Sequence, residues 1–345
     1  MESTISSTST TFEIAMAPKI LIIRFSSIGD IVLTTPVIRI AKQQVEGAEV
    51  HLVTKKVFYP VVEANSYLDK VHVLNDDLNT VIKALKEERF THVIDLHNNL
   101  RSRKIKKALK LPTKSFTKLN IEKWLAVNFK QIHKLPNIHI VDRYLETLSE
   151  FNVKNDQKGL DYFIPEKDRV DLKKLPQTHQ NGYLAWVIGG SYTTKMLPSD
   201  KVVEVLRRIE KPVVLLGGPE DAENGKLIAG KLGSNVFNAC GKFNINQSAS
   251  LVKQASKVLS NDTGLMHVAA AFNKPTLSFW GNTIPEFGMY PYMPQHPERS
   301  TIMQVADLRC RPCSKLGYKK CPKKHFYCMK LIDADKVVEW VSAKL

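Results

Sequence analysis

Lys19-Ile20-Leu21-Ile22-Ile23-Arg24-Phe25-Ser26-Ser27-Ile28-Gly29-Asp30-Ile31-Val32 passes from a β-branched run through small residues into a second apolar stretch. That order predicts a strand over Lys19–Phe25, a tight turn, and a helix over Ile31–Val45. Working outward, Val50–Thr54, Lys70–Leu74 and Thr91–Asp95 read as further strands, with a helical stretch at Leu78–Arg89. Strand and helix alternate, which predicts a parallel sheet covered on both faces. After Asn152 the pattern lapses into a polar stretch containing Pro165, Pro176 and Gly182, where a domain linker is expected. It restarts with strands at Tyr183–Ile188, Pro212–Leu216, Lys257–Ser260 and Thr276–Phe279, and helices near Ser199–Glu210, Glu220–Leu232 and Gln247–Gln254. The expected architecture is two similar α/β domains facing across a cleft, residues 17–170 and 171–333, followed by an amphipathic helix within 334–345.

The 345 residues exceed one ordinary core, and 43% hydrophobic with 24% charged content is that of a globular protein. Charged residues interrupt every apolar stretch before the roughly 18 residues that a spanning helix needs. Residues 1–16 are rich in Ser and Thr, without the basic start and apolar centre of a secretory signal, and read as a disordered tail. Met16, just ahead of the first strand, is the expected start of translation. The formal charge of +16 attracts polyanions, and nucleic acid, an anionic membrane surface or a phosphorylated substrate all suit it.

Ligands of open α/β sheets bind outside the carboxyl ends of strands, so the chemistry is sought there. Gly29 permits close backbone approach, while Asp30 in the turn or first helical positions most often serves as a helix cap. The turn is not a GxGxxG fingerprint and gives a dinucleotide site little support. In Ser260-Asn261-Asp262-Thr263-Gly264-Leu265-Met266-His267 a strand ends and a helix of small residues starts, its free amides suited to a diphosphate. His267 lies one turn beyond Gly264, placed either for the core or for that anion. Thr193, Thr194 and Lys195 follow one strand and Glu220 the next. Each is a common loop alone; together they offer the parts of a nucleotide-diphosphate site.

The Ser-Ser-Ile-Gly-Asp turn, the Thr-Thr-Lys loop ending in Pro198, and Asp-Thr-Gly-x-x-His-x-Ala-Ala-Ala from Asp262 resemble the heptosyltransferases of lipopolysaccharide core assembly. The resemblance runs from about Lys19 to the C-terminus. It implies two Rossmann-like, doubly wound parallel-sheet domains in the GT-B arrangement, the first for acceptor and the second for ADP-heptose, and inversion without a catalytic metal. It implies Asp30 as general base and Lys195 beside the donor phosphates, with Thr193 and Thr194 in the same loop. Glu220 then stands at the nucleoside, and Asp262, Thr263, Gly264 and His267 line the donor pocket. Ser27 and Gly29, with Arg101 and Arg103 from the basic run 101–107, are expected at an acceptor that is lipid A-linked or another anionic glycolipid. The C-terminal helix is expected to pack back toward the first domain. A cytoplasmic monomer at the inner-leaflet surface, without nucleic acid, is the accompanying picture. Cys310, Cys313, Cys321 and Cys328 begin with CxxC and suit structural zinc, though their later spacing is not a standard second pair. The competing readings are a GT-B enzyme using another nucleotide sugar, a basic nucleic-acid-binding protein, and a non-catalytic two-domain binding protein that needs no base at Asp30.

Overall fold

The computed structural model describes residues 17–75 and 77–343; the segment 1–16, with the expected start at Met16, lies outside the described residues. The first sheet holds β1 (Lys19–Ile23), β2 (Glu49–Lys55), β3 (Lys70–Leu74), β4 (His92–Asp95) and β5 (Thr113–Ser115). Its helices are α1 (Ile28–Val32), α2 (Thr35–Gln44), α3 (Leu78–Glu87), α4 (Leu100–Leu109), α5 (Asn120–Phe129) and α6 (Ile140–Leu145). The second sheet holds β6 (Leu184–Val187), β7 (Val213–Leu216), β8 (Val236–Asn238), β9 (Lys257–Asn261), β10 (Thr276–Trp280) and β11 (Ser300–Gln304). With it go α7 (Ser199–Leu206), α8 (Ala222–Gly230), α9 (Ile245–Gln254), α10 (Gly264–Ala271), α11 (Tyr327–Lys330) and α12 (Ala334–Ser342).

All pairings are parallel, in the orders β3-β2-β1-β4-β5 and β11-β10-β9-β6-β7-β8. Each sheet starts in its middle and winds outward both ways, the doubly wound pattern, so each has a crevice where the order reverses: between β1 and β4, and between β6 and β9. The central strands are buried along nearly their whole length because helices cover both faces. Three edge strands, β5, β8 and β11, have no counterpart in the apolar pattern of the sequence. They are half-exposed, so no hydrophobic run marks them.

The long helix expected over Ile31–Val45 is two helices. Pro36 has no N–H to give the carbonyl of Val32, and the Thr35 hydroxyl donates to that oxygen instead at 2.7 Å, while Thr34 Oγ1 donates to the Ile31 oxygen at 2.6 Å. Between the sheets the chain from 152 to 183 forms only short 3-10 turns. It is tied down by ions, since the buried Arg39 pairs with Asp156 at 2.8 Å and with Asp161.

The C-terminal helix does not cross back. Val337 and Val341 of α12 are buried in the second domain's own core beside Val202 and Leu206 of α7. Lys257 Nζ donates to the carbonyls of Trp340 and Val341 at the end of α12, and the Trp340 indole donates to Thr301 Oγ1. Its apolar stripe is satisfied next to the sheet it follows, which leaves nothing to carry it to the other domain. The domains join instead through one continuous apolar cluster and through α1 packed on α10.

Candidate active site

The site begins where α1 meets α10. A Cβ on Gly29 would stand 2.7 Å from His267 Cδ2, and one on Gly264 would stand 2.7 Å from Ile28 Cγ2, so both positions need glycine for close approach. On the α1 side Ser27 is the N-cap and Asp30 the third helical residue, one turn inside the position of an N-cap. Asp30 Oδ2 accepts from the Ser27 amide at 3.1 Å and the Ser27 hydroxyl at 2.7 Å, while Oδ1 pairs with Arg24 Nη2 at 2.5 Å. Burial pushes this carboxyl up, but Arg24 and the two Ser27 donors outweigh it and hold Asp30 below the usual carboxylate range. Arg24 is fixed in turn by the oxygens of Ser26, Leu96 and Tyr144.

Across the gap, α10 starts at Gly264 with Thr263 as an N-cap whose side chain makes no capping bond. Thr263 Oγ1 and His267 Nδ1 are buried without a partner among the described residues. Burial holds the His267 imidazole at a pKa of about 4, so it is neutral at pH 7. Lys195 Nζ reaches Asp262 Oδ2 at 2.5 Å, and Asp262 also accepts from Thr283 Oγ1 at 2.9 Å. The result is an open helix terminus with unspent donors and a lysine beside it, facing an ionised carboxylate.

Ser27, Gly29, Asp30, Lys195, Asp262, Thr263, Gly264 and His267 all line this one cavity of about 220 Å³. A second hollow of about 410 Å³ adjoins it, sharing Ser191, Thr263 and Gly264, with Glu220 on its rim and Phe243, Ile245 and Leu265 as apolar wall. Glu220 is exposed, whereas its neighbour Asp221 is buried under Gly189 and Gly217 and accepts from the Gly218 amide at 2.9 Å. A cavity with charged and hydroxyl groups in its wall, continuous with a larger one, has the shape a sugar nucleotide requires.

Four expected residues fall elsewhere. Thr193 is exposed and outside the cavity. Thr194 is buried, and its hydroxyl is spent on the backbone of Tyr318, donating to the carbonyl at 3.0 Å and accepting from the amide at 2.8 Å. It positions the Lys195 turn and does not face the cavity. Arg101 and Arg103 are exposed on α4; Arg101 lines a separate basic hollow with Lys55 and Lys56.

Cations the motifs did not single out occupy the ground beside Asp30. Lys315 lines the cavity. Lys123 lies over the Phe287 ring at 5.5 Å, and burial, then Arg143, lowers its pKa to about 8, with Asp30 acting the other way. Among the described residues Arg143 is buried without an acid: its one side-chain hydrogen bond is Nη1 to the Thr117 carbonyl at 3.4 Å, and Nε and Nη2 have no partner. No local pattern marks Lys123, Arg143 and Lys315, which come from three distant segments.

The residues from 78 to 323 match the family model for glycosyltransferase family 9 (heptosyltransferase), well over half of the chain. The chain belongs to this family. It is therefore a glycosyltransferase, and the doubly wound pair of sheets is its GT-B fold. It is 24% identical to lipopolysaccharide heptosyltransferase 1 of Campylobacter coli over 288 residues, covering 77% of this chain and 84% of that one. Among solved structures it is similar to the family 9 glycosyl transferase of Veillonella parvula (TM-score 0.75, 20% identity, 94% and 96% of the two chains). It is also similar to Escherichia coli heptosyltransferase WaaC with ADP (TM-score 0.65, 20% identity, 94% and 98%).

Two further clusters carry side chains of metal-ligating type. Among the described residues, His51, His72 and Glu88 are the one group of three potential ligands within 4.8 Å of one another. Their demands are already met, since His51 bonds Glu49 and His72 while Lys19 and Lys70 pair with Glu88. The cysteines form no such group. Cys313 Sγ donates to the Cys310 carbonyl at 2.9 Å, and burial pushes the Cys313 and Cys328 thiols up to about 11 and about 12.

Proposed function

We propose that this glycosyltransferase moves a heptose from ADP-heptose to a hydroxyl of an anionic, lipid-linked sugar in lipopolysaccharide core assembly, at the cytoplasmic face of a membrane. The observation that carries the reading is the pairing across one cavity of an ionised carboxylate, Asp30, with an uncapped helix terminus beside Lys195. In this reading the ADP diphosphate lies on the first turn of α10, where free amides and the helix dipole favour negative charge. The nucleoside fills the adjoining hollow with Glu220 toward the ribose. Asp30 takes the proton of the acceptor hydroxyl as its oxygen bonds to the anomeric carbon from the side opposite ADP. The bond from that carbon to the phosphate oxygen breaks, and ADP leaves with the electron pair, its growing charge met by Lys195 and the α10 amides. A carboxylate held this low is a weak base, so proton removal accompanies departure of ADP.

The acceptor's negative groups fit Lys123, Arg143 and Lys315, because Arg143 is a buried guanidinium with two unpaired nitrogens. Transfer assays with ADP-, UDP- and GDP-linked sugars test the donor; equal turnover of a UDP-sugar overturns it. The cysteine segment is proposed to take a structural zinc ion. The four thiols are the donor type zinc takes and would have to close up around the ion, and Arg311, buried among them and bonded only to uncharged oxygens, would face the negative charge of a tetrathiolate. Metal content of protein purified under reducing conditions decides it.

A further inference from the structure

The charge of this chain is concentrated in two places. Residues 99–134 hold eleven Lys and Arg with one acid, Glu122, and residues 309–324 hold seven with none; the rest of the chain, from totals of 50 and 34, is almost balanced. The two segments touch, for Lys130 Nζ donates to the Pro312 carbonyl at 2.7 Å, and Lys315 lies near Lys118 and Lys123. Both border the mouth of the cleft.

Exposed apolar side chains share this location. Val57, Leu100, Ile121, Trp124 and Phe129 stand in segments that leave the carboxyl ends of β2, β4 and β5, the end at which Asp30 lies. Among the described residues, no large exposed hydrophobic lies in the connections that enter the strands of the first sheet. That opposite end carries ion pairs such as Lys19–Glu49 and Lys42–Asp69. Helix α5 bridges the two worlds. Its Ala126 packs with Ile284 and Phe287 of the second domain and its Lys123 faces the cleft, while Ile121, Trp124 and Phe129 are 72%, 55% and 60% exposed. Leu316, beside Lys315, is also exposed and lines the cleft mouth.

We propose that this rim is a docking surface for an anionic phospholipid bilayer, with α5 lying in the headgroup layer and the cleft opening toward the membrane. Lysines around an aromatic and aliphatic ridge are the chemistry of interfacial binding: the charges meet anionic headgroups and the apolar side chains enter the acyl boundary. Nucleic acid would engage the charges and the aromatic rings, but Ile121, Leu100 and Val57 would gain nothing from it. The surface rests on the lipid-linked acceptor reading only for its purpose: it brings the acceptor sugar to Asp30 while its lipid stays in the bilayer.

The test is binding of the full chain to vesicles of phosphatidylglycerol with phosphatidylcholine, against phosphatidylcholine alone. Trp124 gives a direct signal, since it is the exposed one of the four tryptophans: Trp186 and Trp280 are buried, and Trp340 on α12 of the second domain is half-buried and bonded to Thr301. Binding to the anionic vesicles only is expected, with a blue shift of tryptophan emission that Trp124→Phe removes. The triple variant I121S/W124S/F129S is expected to bind about ten-fold or more weakly, to keep its thermal protection by ADP, and to lose transfer to a vesicle-borne acceptor but not to a soluble, deacylated one. Equal binding to neutral vesicles, unchanged binding by the triple variant, or no change in Trp124 emission overturns the proposal. So does an oligonucleotide that displaces the vesicles and binds the triple variant as it binds the parent. Failure of ADP protection in the parent chain would sink the donor reading and leave the vesicle result standing.

Discussion

Helices α1 and α10 both begin at a crevice of their sheet, one after β1 and the other after β9, and they pack against each other with their first turns on the same cavity. Their ends are finished in opposite ways. The start of α1 carries a negative charge of its own, the Asp30 carboxylate, clamped by Ser27 and Arg24. The first turn of α10 carries none: Asp262, just ahead of its cap, is neutralised by Lys195, and the cap hydroxyl and nearby His267 nitrogen are left unspent. One terminus has its anion built in and the other leaves room for an anion to arrive. Two closely packed helix starts can therefore divide a reaction, one supplying a fixed base and the other receiving the charge of the leaving group.

The comparison breaks most visibly at Asp30. Asp30→Asn keeps an acceptor for Ser27 but removes the charge, and transfer is expected to slow by about 10²–10⁴-fold, roughly 3–5 kcal/mol of barrier. ADP binding should persist, and some stability should be lost because Arg24 is left without its carboxylate. Near parent rates in a folded Asp30→Asn protein would refute the base.

Giving α10 what α1 already has sharpens the contrast. Thr263→Asp supplies a capping carboxylate, so the helix should gain about 0.3–1 kcal/mol from its dipole. ADP affinity should fall by about 10²-fold, roughly 2.7 kcal/mol, as read by calorimetry. Unchanged ADP affinity would mean that the diphosphate lies elsewhere. A smaller loss is expected for Lys195→Ala, about ten-fold in both donor binding and turnover; parent kinetics would remove this lysine from the site.

The mildest effects come from pH. Asp30 lies below its ordinary value, so its ion pair contributes stability above about pH 4, and that contribution is lost as pH falls through the lowered folded value. The rate should accordingly stay level on mild acidification from neutrality. On the alkaline side Lys123 loses its charge as pH rises through about 8, so the acceptor KM should climb there with little change in donor KM. A KM for acceptor that is flat across that range would take Lys123 out of acceptor binding.

Residues that are near in sequence, or that sit at the ends of apolar strands, were legible without coordinates. The Ser27–Asp30 turn and the Asp262–His267 segment each stand at the carboxyl edge of their own parallel sheet, a placement the strand pattern encodes, and they share one cavity because α1 packs on α10. Lys195 and Glu220 follow by the same rule. Thr194 shows its limit: a hydroxyl beside a site residue was spent on Tyr318, 124 residues away.

Hydrophobic periodicity in this chain determined which segments become buried strands and helices, and through them the two doubly wound domains and the strand ends at which the site is built. It works because burial of a strand or helix face is a local demand written into consecutive residues. What lies against each face is decided by distant segments, and only the tertiary structure settled it. Edge strands β5, β8 and β11 gain their place from a neighbour's hydrogen bonds and need no apolar run. Helix α12 stays on the second domain because α7 and the second sheet cover its stripe. Lys123, Arg143 and Lys315, rather than Arg101 and Arg103, stand beside Asp30 because α5, α6 and the cysteine segment fold over one end of the cleft, a convergence no spacing of residues along the chain encodes.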